Sequence, residues 1–146
     1  CMTYSNECAR ELKRRLSRLA VKPDHRTFIG TVHSFCFQHV VVPFAQLGGL
    51  KIAHPIRVAT DSEKDKCFAD ALGKAVSTNE NPTHWNLRCS TYRRKYLDRD
   101  HASWLEKDEQ AARVIEEYES TLRKRGLIDF DDMMLLGLRL IEQHDW

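Results

Sequence analysis

Apolar positions recur at helical spacing along most of the chain and at strand-like spacing in only a few short runs. Cys1-Met2-Thr3-Tyr4 reads as the end of a short buried strand that closes at Tyr4 or Ser5, with Ser5 or Asn6 placed to cap the next helix. In that helix Ala9, Leu12, Leu16 and Leu19 form one apolar stripe, and Arg10, Lys13, Arg14, Arg15 and Arg18 cover the remaining faces. Pro23 and Asp24 break the run, and Arg26 to Ile29 reads as a second short strand. Strand, helix and strand within about 30 residues predict a βα-type unit with parallel strands. Two such short strands do not make a stable sheet by themselves, so partner strands are expected outside this chain.

The rest of the pattern is helical. Val32 to Leu47 is strongly apolar, with Pro43 placed to kink or end it and Gly48-Gly49 to open a loop. Pro55 to Ala59 reads as a short extended run. Thr60-Asp61-Ser62-Glu63 is a capping box, and its helix sets Phe68, Ala71, Leu72 and Ala75 on one side. Ser77 to Thr83 reads as loop, and Trp85 to Arg99 as helix. Ser103 to Arg125 is the longest predicted helix, striped by Trp104, Ala111, Ile115, Tyr118 and Leu122, and Gly126 ends it. Asp129 is placed to cap a last helix in which Met133, Met134, Leu135, Leu136, Leu138, Leu140 and Ile141 leave little polar face, so burial on most sides is expected.

With 146 residues, 42% hydrophobic and 30% charged, the chain has the composition of a globular domain with a real core. No apolar run approaches the roughly 20 residues of a membrane span, so no membrane partner is expected. Five widely spaced cysteines without a C-x-x-C pair point to reduced thiols and a cytoplasmic protein. His33-x-x-Cys36 is the nearest approach to a metal or nucleophile pair and has no companion ligands, so no metal and no catalytic residue is assigned. The net charge of +2 is mild, and the basic side chains cluster instead, as in Arg88, Arg93, Arg94, Lys95 and Arg99 interleaved with Tyr92 and Tyr96. A strand-Gly-Thr-helix junction at Gly30-Thr31-Val32-His33-Ser34 offers hydroxyls, an imidazole and free helix N–H groups to a phosphate oxygen, although the same residues serve equally as helix caps. The nearest approach to a P-loop, Gly73-Lys74, has Phe68 where the first glycine belongs and Ala75 where the hydroxyl belongs. Asp129, Asp131 and Asp132 follow no run of strand residues and read as helix N-terminal acids.

Four segments, in order, resemble the UvrD/Rep-type superfamily 1 (1A) DNA helicases. Thr3-Tyr4-Ser5-Asn6-Glu7-Cys8-Ala9-Arg10-Glu11-Leu12 to Arg15 is similar to the segment after the Walker A helix, and Gly30-Thr31-Val32-His33-Ser34 to G-T-[FV]-H-S. Val58 to Asp65 is similar to the start of the core of the family's inserted helical subdomain. Leu127-Ile128-Asp129-Phe130-Asp131-Asp132-Met133-Met134 is similar to the L-D-F-D-D-L-L return into the motor. The resemblance is weakest between Gly73 and Ala102.

It implies a mostly α chain: residues 1–32 as a partial edge of a RecA-like α/β motor domain, 33–126 as the helical insertion (1B), and 127–146 as the return helix. The parent would be an ATP-dependent DNA helicase using ATP and Mg²⁺, with Walker A just before Cys1 and Walker B just after Trp146. This chain alone would bind neither and be inactive. Its partners would be single-stranded and duplex DNA and the remainder of the motor. By the same resemblance Tyr4 stacks on a base of the translocating single strand, and Asn6, Thr31, His33 and Ser34 touch its phosphates and sugars. Arg88, Arg93, Arg94 and Lys95 would face the duplex, or simply be a solvated helix face. The alternatives are a non-catalytic nucleic-acid-binding module and a helical protein-interaction module.

Overall fold

The computed structural model describes residues 1–21, 24, 27–76, 81–96, 101 and 103–143. The chain is mostly helical, with two short parallel strand pairs. It divides into two compact units, Cys1–Leu50 with Asp132–Trp146, and Lys51–Asp131.

In the first unit, β1 (Met2–Thr3) leads through Ser5 into α1 (Asn6–Arg18), and the Ser5 hydroxyl accepts the Cys8 N–H at 3.2 Å. The apolar stripe is buried only at Ala9, half-buried at Leu12 and Leu16, and exposed at Leu19. The second strand, β2, lies at Gly30–Thr31 rather than at 26–29, and Arg26 is outside the described residues. Pairing with β1 fixes that shift: Met2 lies opposite Gly30 and Thr3 opposite Thr31, in parallel.

The apolar helix after β2 is not uniform. It runs as α2 (Val32–Phe35), a π-helical segment (Cys36–Val41) and α3 (Val42–Phe44). Pro43 has no N–H for the i−4 carbonyl and its ring crowds that carbonyl. The wider turn just before it relieves both problems, and the Val42 N–H bonds the Phe37 carbonyl five residues back. The last helix, α8 (Phe130–Gln143), buries Met133, Leu136, Gly137 and Leu140. Burial on most sides was too strong an expectation, since Leu138 and Ile141 are exposed. A Cβ at Gly137 would stand 3.0 Å from the Cys36 Cβ, so a larger residue there would push the Cys36 side chain aside by a few tenths of an ångström.

The second unit carries a continuous core. β3 (Arg57–Val58) pairs in parallel with β4 (Leu127–Ile128), and that second strand, right before Asp129, escaped the sequence reading. The capping box forms as expected on α4 (Asp61–Ala75): Thr60 and Glu63 each bond the other's backbone N–H. α5 (Pro82–Lys95) begins earlier than Trp85, because the Asn81 side chain accepts the Thr83 N–H and Pro82 suits a first helical position.

The predicted single helix from Ser103 is two, α6 (Ser103–Glu106) and α7 (Glu109–Lys124). Asp108 breaks it by capping α7 through the Ala111 N–H. Gly126, at φ +67°, ends α7 as expected. Cys67, Phe68, Trp85, Cys89, Trp104, Ile115 and Leu122 are buried together between these helices.

Candidate nucleic-acid interface

The two strands of the first unit are parallel, so the segments leaving β1 and β2 emerge at the same edge. Tyr4 leaves β1 there and is 82% exposed, its ring open to solvent. His33 follows β2 on α2 and is half-buried. Beside them a groove of about 410 Å³ is lined by Asn6, Arg10 and Lys13 on α1, by Gly30, Thr31 and Ser34, and by Gln38. The structure therefore gathers Asn6, Thr31 and Ser34 into one concavity, while Tyr4 and His33 do not line it.

Thr31 and Ser34 form a closed capping box. The Thr31 hydroxyl accepts the Ser34 N–H at 3.1 Å, and the Ser34 hydroxyl accepts the Thr31 N–H at 3.1 Å and donates to the Thr31 carbonyl at 2.9 Å. This fixes the orientation of both hydroxyls, and both residues line the groove. Sequence reasoning missed Arg10 and Lys13. Their positions four and seven residues beyond Asn6 put all three on one helix face, a spacing legible in advance.

The basic cluster of α5 is divided by burial. Arg93, expected to face the duplex, is instead 3% exposed. Its Nε donates to Glu119 at 2.8 Å and its Nη1 to Asp129 at 2.6 Å, and the guanidinium lies 5.6 Å from the Tyr118 ring centre. Tyr118 donates its hydroxyl to the same Asp129 oxygen at 3.0 Å, and Arg123 donates to the other oxygen of Glu119 at 3.0 Å. A cation bonded to two buried carboxylates is not available to DNA. Asp129, read as a helix cap, is a buried acceptor at the centre of this network.

Arg88 is clamped to Asp108 by two bonds of 2.7 and 2.6 Å. Burial works against the Asp108 charge, but Arg88 and the Ala111 N–H outweigh it and hold this carboxyl below its ordinary range. Arg94 is exposed and pairs with Asp131 at 3.0 Å. Lys95 is exposed beside Tyr96. Arg99 is outside the described residues.

All five cysteines are free. Cys36 is a packing residue, its sulfur 3.9 Å from the Met134 sulfur and its thiol pushed up by burial. Burial pushes the Cys89 thiol up to about 12. Neither has thiolate character near neutrality. Gly73 and Lys74 lie inside α4, where Lys74 pairs with Glu117 at 3.0 Å. Among the described residues no three His, Cys, Asp or Glu side chains converge on a metal position, and no helix is long and apolar enough to cross a membrane.

Compared with known proteins, the chain matches the UvrD/REP helicase N-terminal domain over residues 1–146. It is 23% identical over 155 aligned residues to a protein of Mycoplasma capricolum subsp. capricolum named "Probable DNA helicase II homolog". The alignment takes in 99% of this chain and 21% of that relative, so the chain spans about a fifth of the relative's length. No solved structure gives a significant match.

Proposed function

Because the chain belongs to the UvrD/REP helicase N-terminal domain family, we propose that it is the strand-holding part of an ATP-dependent DNA helicase. The observation that carries this reading is the parallel register of β1 and β2, which delivers Tyr4 and the Thr31–Ser34 turn to one edge beside a groove walled by Arg10 and Lys13. On this reading Tyr4 stacks on a base and needs no particular sequence, since every base has a π face. Asn6, Thr31, His33 and Ser34 hold the phosphates and sugars, which set register without reading bases. The α2 N-terminus adds partial positive charge where a phosphate oxygen would sit.

ATP and Mg²⁺, which the family implies, do not fit the residues at hand. A phosphate cradle needs a glycine-rich loop, and Gly73-Lys74 is continuous helix. We therefore assign nucleotide binding and hydrolysis to the rest of the parent protein and route no step through this chain. Residues 1–32 and 127–146 are proposed to join the RecA-like motor, and 33–126 to be its helical insertion. Of the α5 cations, Arg94 is exposed enough to approach a duplex.

The test is anisotropy of a labelled oligo-dT with this chain across a salt series. Tyr4→Ala should cost about 1–3 kcal/mol, a loss of affinity of about 5- to 150-fold, with the salt slope unchanged. Equal affinity of mutant and wild type removes Tyr4 from the stacking role, and binding without salt dependence rejects the groove.

A further inference from the structure

One face of α5 is largely open to solvent, with His84, Leu87, Arg88, Thr91 and Lys95 exposed and Tyr92 covered by Trp104 of α6. His84, Leu87, Arg88, Thr91, Tyr92, Lys95 and Tyr96 recur three, four, seven, eight, eleven and twelve residues along, a single helical stripe. With Lys107 and Asp108 they line a shallow trough of about 550 Å³. Its middle is apolar: Leu87 is 70% exposed, and the Tyr92 and Tyr96 rings pack 4.6 Å apart beneath. Its rim is cationic. Arg88 is held in place by Asp108, which cancels that carboxylate, and Lys95 and Lys107 are exposed with no ion pair among the described residues.

We propose that this trough docks an acidic segment of a partner protein, one that places an aliphatic or aromatic side chain against Leu87 and carboxylates on Lys95 and Lys107. An apolar centre inside a charged rim is the anatomy of a protein interface, and the rim sets the sign of the partner. Nucleic acid fits less well. Tyr92 is closed on both sides, by Tyr96 and by Trp104 at 5.0 Å, and its hydroxyl is spent on the Trp104 carbonyl at 2.6 Å. The Arg88 fork, which would suit a phosphate, is already filled by Asp108. An exposed leucine gives a base no stacking partner. The trough's residues all belong to Lys51–Asp131, and those of the strand-holding groove to Cys1–Leu50.

The experiment titrates the whole chain with a short fluorescent peptide bearing aspartates on both sides of a leucine–phenylalanine pair. A second peptide replaces the aspartates with lysines, and a third arm adds unlabelled oligo-dT as competitor. Binding of the acidic peptide should exceed that of the lysine version at least about tenfold and weaken with salt. Leu87→Ala should reduce it about tenfold, and Lys95→Glu with Lys107→Glu should flatten the salt dependence. All three side chains are exposed, so the variants keep the fold, checked by unchanged circular dichroism. Equal binding of the two peptides, indifference to Leu87→Ala, or displacement by oligo-dT that survives Tyr4→Ala overturns the proposal, the last in favour of nucleic acid at the trough.

Discussion

The two units spend their side chains differently. In Lys51–Asp131, α4, α5 and α7 bury aromatic and aliphatic residues on facing stripes, and even a cation is drawn inside and satisfied. In the unit built on Cys1–Leu50, α1 buries a single alanine and exposes five basic residues, and its strand pair is two residues long. The first pattern makes stability and the second makes surface. Burial of apolar area dominates folding free energy, so the resistance of the chain to unfolding should reside in Lys51–Asp131. Trp85 and Trp104 are both buried there and report on it by fluorescence.

Three changes probe that contrast. Arg93→Ala should have the largest effect, about 3–5 kcal/mol, because it strands the Asp129 and Glu119 carboxylates in the interior. Urea unfolding followed by tryptophan emission measures it. A loss under about 1 kcal/mol would mean that the network is wetter than its geometry, and the contrast would weaken. Gly126→Ala comes next, at about 2–4 kcal/mol. The backbone there has φ +67°, and a Cβ would stand 2.6 Å from the Ala53 carbonyl oxygen and 2.7 Å from that of Pro55. Thermal melts should show the drop, and full stability of the variant would place the end of α7 elsewhere.

The smallest effect is a pH dependence. The Arg57 guanidinium and the Thr60 cap hold the Glu63 carboxyl well down, at about 2 against an ordinary 4.5. A depressed folded-state value means the unfolded chain binds the proton more readily. The stability from this group is therefore complete above about pH 4.5 and is lost as pH falls toward 2. Arg57→Gln should shrink the acid-induced loss over that window in a pH series of melts. An unaltered acid limb would show that the pair contributes nothing.

What could be read in advance follows from how far each cause lies along the chain. The Thr60–Glu63 box and the Gly126 stop depend on neighbours within a turn, so residue order alone reveals them. The break at Asp108 was equally local but was masked by apolar periodicity running on both sides of it. β2 fell on Gly30–Thr31 because β1 selects that register, and β4 exists because β3 pairs with it. Two-residue strands have no pattern of their own.

Arg93 was misplaced for the same reason at longer range. Its partners stand 26 and 36 residues away, and a basic residue among basic neighbours reads as surface until those carboxylates are found. In the candidate site, the resemblance named the turn residues, but the wall made by Arg10 and Lys13 needed the helix face to be drawn.

The wide turn at Cys36–Val41 has a consequence for how this helix tolerates change. A π turn houses one more residue than an α turn, so the segment behaves as an insertion already absorbed. Everything beyond it is rotated by about 100° from where an unbroken helix would carry it. Cys36, at the start of the turn, meets Gly137, and Val40, Val41 and Ala45 are buried further on. Removing one residue from the bulge would restore ideal helix geometry and swing the Thr31–Ser34 turn out of step with the buried valines. The irregular turn is thus a phase adjuster between what the helix displays at its start and what it hides further on.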